Sequence, residues 1–295
     1  MPQTDPSRGD PDSIGQRDLA RWDTRLGRWL VSLVTGVVRP LRPAAGRAAA
    51  WSLGNLAFVV FSVLALGVIS LLVDGAQEVF EAVVGGNGLT AVDRPVLDAM
   101  VSVRNPTLDA VMTAFTNIGG PVGMPLLATV VVAVITLRRR RWTPVVVTVI
   151  AAAGSLLMTV VGKDLVGRAR PPASLAVPPF EISPSFPSGH TLNATVLTTV
   201  VVYLLLIETT AVWQRVTSVV AGLCFVVTMG LSRVYLGHHW LTDVVAGWAV
   251  GFAWALAVIT AHRLWLTLRD DGRHDGGQDV PRNPPAPSRR GRTAR

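Results

Sequence analysis

The sequence is poor in the residues that surround a soluble protein and in those that cross-link one. Only 16% of its 295 residues are charged while 50% are hydrophobic, and the apolar residues come in runs of about twenty. That pairing excludes a soluble globular chain and describes one that crosses a membrane several times. The single cysteine, Cys224, lies inside an apolar run, so an intrachain disulfide and a cysteine-based metal site are both excluded. Lysine is as rare: Lys163 is the only one among 27 basic residues, the rest being arginine. A net charge of +8 would suit nucleic acid, but no basic, aromatic-interleaved domain accompanies it. The arginines sit mostly in the tails and between apolar runs, where they orient the chain and meet anionic lipid at the cytoplasmic face. A cleavable signal peptide is not expected, because residues 1–17 are polar and the first apolar run begins near Ser52.

The hydropathy pattern predicts an all-α polytopic membrane protein with six transmembrane helices. The spans are Ser52–Val73, Pro121–Leu137, Trp142–Gly162, Thr191–Ile207, Val216–Leu236 and Thr242–Leu264. Residues Thr107–Ile118 extend the short second span as a helix, and Asp74–Asn105 forms a long connection with a partly embedded surface helix. Between Asp18 and Val38, Leu19, Trp22, Leu26, Trp29, Leu30 and Leu33 recur at helical spacing with arginines between them, as in an interfacial amphipathic helix. The predicted organisation is a cytoplasmic tail with that helix over 1–48, a membrane domain over 49–268 with its core at 142–264, and a disordered cytoplasmic tail over 269–295. The run Arg138–Arg141 pins the connection between the second and third spans to the cytoplasm. Both termini then fall on that side, in a multi-pass protein of the plasma membrane.

Three polar clusters stand at span ends on the opposite side, against the positive-inside trend. Lys163 closes the third span and is followed by Arg168, Arg170 and Pro171; alone, these read as residues that snorkel and finish a helix. Pro187-Ser188-Gly189-His190 stands before the fourth span, after a loop with six prolines between residues 171 and 187. Its glycine permits a tight turn and its backbone N–H groups point outward toward an anion, although Ser188 also reads as a plain N-cap. Ser232-Arg233 ends the fifth span, and His239 and Asp243 open the sixth. Four residues apart on one helical face, the carboxylate orients the imidazole through one nitrogen and presents the other as nucleophile or base. His238 falls on another face and is given no catalytic role. Jointly the clusters bring cations, a turn, two histidines and a carboxylate to one membrane face, an inventory suited to gripping and attacking a phosphate.

At these residues the chain resembles the type 2 phosphatidic acid phosphatase family, the membrane branch of a superfamily shared with vanadium haloperoxidases. Lys163…Arg170-Pro171, Pro187–His190 and Ser232-Arg233…His239…Asp243 match the three parts of the family's pattern in order and without substitution. The resemblance implies that Lys163, Arg170 and Arg233, with Ser188 and the Gly189 backbone, hold the phosphate oxygens. It implies that His239 attacks phosphorus, oriented by Asp243, to give a phosphohistidine, and that His190 protonates the leaving oxygen and then activates water. No metal and no cofactor are implied, the cations doing what a metal does elsewhere.

The expected activity is hydrolysis of a membrane lipid phosphate at the extracytoplasmic face, with polyprenyl diphosphate, phosphatidic acid and phosphatidylglycerol phosphate as candidates. Two alternatives share the same residues: a phosphotransferase that passes the group to an alcohol, and a non-catalytic lipid-phosphate binder or transporter. The His239–Asp243 pair speaks against the last, since binding needs cations but no nucleophile.

Overall fold

Helices dominate because the apolar runs must satisfy every backbone polar group internally once they leave water. The structure, a computed structural model, describes residues 13–14, 17–18 and 56–275 apart from 87 and 121. The chain divides into two units, Met1–Val59 and Val60–Arg295. In the first, β1 (Ser13–Ile14) and β2 (Arg17–Asp18) form a two-residue antiparallel ladder with Ser13 opposite Asp18. The interfacial helix expected from Asp18 onward otherwise lies outside the described residues.

The remaining order is α1 (Leu56–Gly85), a 3-10 turn (Gly88–Val92), α2 (Asp93–Ser102), α3 (Pro106–Ile118), α4 (Gly123–Arg139) and α5 (Thr143–Val166), then a 3-10 turn (Ala173–Leu175), α6 (Gly189–Glu208), α7 (Val212–Tyr235) and α8 (Leu241–Asp275). Among the described residues five helices are long and apolar enough to cross a membrane, and the count is six when α3 and α4 are taken together as one bent span. The chain is a multi-pass membrane protein. Helix boundaries follow local chemistry. Asn105 caps α3 by accepting from Leu108 N at 2.9 Å, with Pro106 at the first helical position. Gly167 ends α5 in the left-handed conformation at φ 60°, and Pro171 and Pro172 prevent its resumption.

Three expectations change. The first helix does not stop at Val73 but runs to Gly85, because residues 74–85 keep their apolar positions in helical register despite Asp74, Glu78 and Glu81. Residues 107–118 do not continue the second span straight: α3 and α4 meet at a bend of 52°, with Gly119 and Gly120 following α3. The last helix continues to Asp275, beyond the boundary expected at residue 268; the rest of the C-terminal tail lies outside the described residues.

Helix α6 is the axis of the bundle. Its Leu192, Val196, Val200 and Leu204 pack with Val147 and Ala151 of α5, Val132 and Ile135 of α4, and Ala255 and Val258 of α8. Lipid is as apolar as these side chains, so close packing rather than water exclusion holds such helices together. Gly251 shows it: a Cβ there would lie 2.8 Å from Thr195 Cβ, and its absence lets α8 approach α6. By contrast, Val63, Leu64, Leu66 and Leu71 of α1 are exposed, as suits a helix bathed in acyl chains.

Candidate active site

The ends of α5, α6, α7 and α8 meet at one end of the bundle, and the proline-rich segment 167–188 closes over them. Several bonds hold that segment. Ser185 N donates to Arg168 O at 2.8 Å, Val177 N to Leu236 O at 2.9 Å, and Trp240 Nε1 to Ala169 O at 2.9 Å. The α7–α8 turn depends on Gly237, whose φ of +73° and whose virtual Cβ, 2.4 Å from Leu175 O, exclude a side chain. His238, given no catalytic role from sequence, donates from Nε2 to Val177 O at 2.7 Å and so ties the turn to the loop; burial lowers its pKa.

His239 is buried beside Asp243, its Nδ1 3.4 Å from Asp243 Oδ2 and 3.4 Å from Ser185 Oγ. The pairing does not come from a shared helical face. Helix α8 begins only at Leu241, and Asp243 Oδ2 reaches back to accept from Trp240 N at 3.0 Å, which folds the turn so that the imidazole meets the carboxylate. On the other side of the ring, Arg170 Nη1 stands 3.2 Å from Nε2. A guanidinium only donates and a carboxylate only accepts, so Nδ1 carries the hydrogen and Nε2 presents its lone pair. Burial pushes the His239 pKa down to about 4, against the opposing pull of Asp243, which keeps the ring neutral and nucleophilic.

Arg170 touches that nitrogen, and Lys163 and Arg233 line the same cleft as His239. Arg170 is fixed by Ser183 O at 2.7 Å and His238 O at 2.6 Å. Arg233, 1% exposed, donates to Thr116 Oγ1 of α3 at 2.9 Å. Lys163 Nζ bonds Ser183 Oγ at 3.2 Å and Pro184 O. His190, in the first turn of α6, lines the same cleft as Gly189, Lys163, Arg233 and His239. Ser188 does not join them. It is fully buried, its Oγ bonds Thr191 Oγ1 at 2.9 Å, its N donates to Asp243 O, and although it sits at the N-cap its side chain makes no cap bond. In this arrangement the Ser188 hydroxyl bonds within the core rather than lining the cleft.

The space at the centre holds an anion supplied by the chain. Glu181 Oε2 lies 2.7 Å from Arg170 Nη2, Oε1 contacts Arg233 Nη2, and the two oxygens lie 3.8 Å from His239 Nε2 and His190 Nδ1. Burial alone would raise its pKa, but Arg233, His239 and Arg170 outweigh burial and hold it well below the usual carboxylate range. Burial lowers the pKa of Arg170, partly offset by Glu181. Sequence reasoning missed Glu181; its one signal is that it is the only acid between Asp164 and Glu208. It also missed Asp93, Thr116, Ser185 and Thr242, and read Arg168 as a snorkelling residue, whereas Arg168 Nη1 reaches Asp243 Oδ1 at 2.5 Å. Among the described residues no three His, Cys, Asp or Glu side chains group as metal ligands.

The cleft, about 720 Å³, continues from this charged end past Thr159 and Ser155 to Met124, Ala152, Leu156 and Leu197. One continuous space is thus cationic at the head and apolar at depth.

The PAP2 superfamily pattern matches residues 141–266. Phosphatidylglycerophosphatase B of Bacillus subtilis is 31% identical over 176 residues, covering 59% of this chain and 84% of that protein. An undecaprenyl-diphosphatase of Sulfolobus acidocaldarius is 32% identical over 102 residues, covering 33% of this chain and 45% of that protein. Among solved structures, a transmembrane PAP2 type phosphatidylglycerolphosphate phosphatase from Bacillus subtilis is similar with a TM-score of 0.62 at 27% identity, over 66% of this chain and 96% of that one.

Proposed function

The chain belongs to the PAP2 superfamily, and from that premise we propose that it is a membrane phosphatase that hydrolyses a lipid phosphate or diphosphate through a phosphohistidine. The observation that carries the reading is the cleft lined at its head by Lys163, Arg233 and His239, with Arg170 against His239 Nε2, and apolar at depth. A phosphorylated lipid matches both ends. The named relatives, a phosphatidylglycerophosphatase and an undecaprenyl-diphosphatase, support the same substrate class.

The carboxylate of Glu181 marks the place of the phosphoryl group. As substrate enters, Glu181 leaves, and Lys163, Arg170 and Arg233 take the non-bridging oxygens, neutralising charge that a metal neutralises elsewhere. His239 Nε2 forms a bond to phosphorus as the bond to the lipid oxygen breaks, and Asp243 stabilises the imidazolium through Nδ1–H. His190 gives its proton to the departing lipid oxygen. It then takes a proton from water, whose oxygen attacks phosphorus, breaks the P–N bond and releases inorganic phosphate. Arg138–Arg141 lie at the helix ends opposite the site, which supports an extracytoplasmic site with both termini cytoplasmic.

Phosphate release by purified protein in detergent, with and without EDTA, tests this on isoprenyl diphosphate, phosphatidic acid and phosphatidylglycerol phosphate. The reading expects release that survives EDTA and disappears in His239→Asn. Absence of release from all three lipids, with wild type and variant alike, would favour a binding or transport role.

A further inference from the structure

Helix α2 and its Asp93 lie outside the residues matched by the family pattern, yet Asp93 is 4% exposed and faces the site. Arg168 joins it to the His239–Asp243 pair. Its Nη2 donates to Asp93 Oδ2 at 2.7 Å, while its Nη1 donates to Asp243 Oδ1 at 2.5 Å and Thr242 Oγ1 at 2.8 Å. Thr242 closes the ring, donating from its N to Asp93 Oδ1 at 2.9 Å and from Oγ1 to Oδ2 at 2.7 Å. The Trp240 ring covers the guanidinium, 5.7 Å from its centroid. Neither Asp93 nor Arg168 reaches the cleft that holds Glu181.

We infer that Asp93 and Arg168 are positioning residues for the nucleophile, acting on His239 through Asp243. The inference rests on the hydrolytic reading above and follows from geometry and charge. Geometry comes first: Asp243 Oδ2 accepts from Trp240 N and Ser185 Oγ and faces His239 Nδ1, and Arg168 pins the other oxygen. With both oxygens held, the carboxylate cannot rotate away from the imidazole. Charge comes second. A guanidinium devoted to Asp243 alone would cancel the charge that must stabilise the imidazolium formed on attack. Shared between Asp93 and Asp243, it leaves the trio with one net negative charge, which the imidazolium balances. A helix outside the matched core thereby reaches the reacting atom through a fixed chain, Asp93 to Arg168 to Asp243 to His239.

The test is steady-state hydrolysis of a lipid phosphate accepted by the wild type, alongside inorganic phosphate binding followed by thermal shift. Arg168→Gln should lower kcat about 100-fold, the loss typical of a reacting group displaced by about 1 Å, with KM and inorganic phosphate affinity within about twofold. Arg168→Lys, which keeps the charge but cannot fork between two carboxylates, should recover part of kcat. Asp93→Asn should lower kcat about 10-fold, and the double variant Asp93→Asn/Arg168→Gln should match Arg168→Gln rather than multiply the losses. Arg94→Gln, on the same helix but in an exposed pair with Asp98, should leave kcat unchanged. If Arg168→Gln does not fold, Arg168→Lys and Asp93→Asn carry the test. Unchanged kcat in Asp93→Asn and Arg168→Lys, losses that multiply in the double variant, or losses of kcat that inorganic phosphate affinity follows in parallel would each overturn the inference. A wild type without hydrolysis would instead overturn the reading on which it rests.

Discussion

Replacing Glu181 with glutamine should make the site bind phosphate more tightly. The carboxylate is held by Arg233 and by Arg170 at 2.7 Å, two charge-assisted hydrogen bonds worth about 1.5–3 kcal/mol each. Against that, water recovers a carboxylate that the cleft had largely desolvated, which offsets half or more of the total. The closed arrangement is therefore favoured by about 1.4–2.8 kcal/mol, and an incoming phosphate must overcome that preference. Apparent affinity falls by the fraction of molecules with the cradle free, so removing the charge should lower Ki for inorganic phosphate about 10- to 100-fold. The assay is competitive inhibition of lipid phosphate hydrolysis by inorganic phosphate in detergent micelles, wild type against Glu181→Gln and Glu181→Ala. Both variants should show a lower Ki, and substrate KM should fall with it while kcat holds. An unchanged Ki would mean that the carboxylate does not share the phosphate's place. A kcat lowered 100-fold at constant KM would mean that Glu181 takes part in the chemistry.

Acid should weaken the fold through two groups that act in the same direction. The His239 pKa is pushed down from 6.5 to about 4, so between those values the unfolded chain binds a proton that the folded one does not, and stability is lost as pH falls through that window. Glu181, with its pKa held below 4.5, contributes stability above that value and loses it as pH falls toward the folded value. Thermal unfolding in detergent should show a midpoint that drops below pH 6.5, and His239→Asn should flatten the upper part of the drop; a midpoint indifferent to pH between 6.5 and 4 would contradict this. Gly237→Ala should destabilise the protein by about 1–3 kcal/mol, the cost of a left-handed non-glycine residue. It should also lower hydrolysis, because the turn it strains carries His238 and His239; wild-type stability in that variant would refute the role given to the turn.

The membrane helices and the placing of the candidate residues at span ends were legible in the sequence because each is marked locally. Long apolar runs announce spans, and Lys163, Arg170, His190 and Arg233 announce themselves as polar residues at span ends. The 52° break between α3 and α4 had only Gly119, Gly120, Pro121 and Gly123 to announce it, and the straight helix was the simpler reading. The orientation of Ser188 was not legible, because sequence does not say which way a hydroxyl turns, and its Oγ bonds Thr191 Oγ1. Asp93 and Arg168 escaped for a different reason. Their partners lie far along the chain, 75 residues apart for Arg168 and Asp93, and a long-range ion pair leaves no periodicity to read.

The central claim is that phosphorus passes through His239, and the most direct measurement is to catch it there. Protein mixed with a lipid phosphate labelled in its phosphoryl group would be quenched in alkali, where phosphohistidine persists and phosphoserine esters are lost, and digested to locate the label. The account predicts label on the peptide carrying His239, labile to acid and absent in His239→Asn. Hydrolysis at the wild-type rate in His239→Asn, or label on another residue, would contradict it.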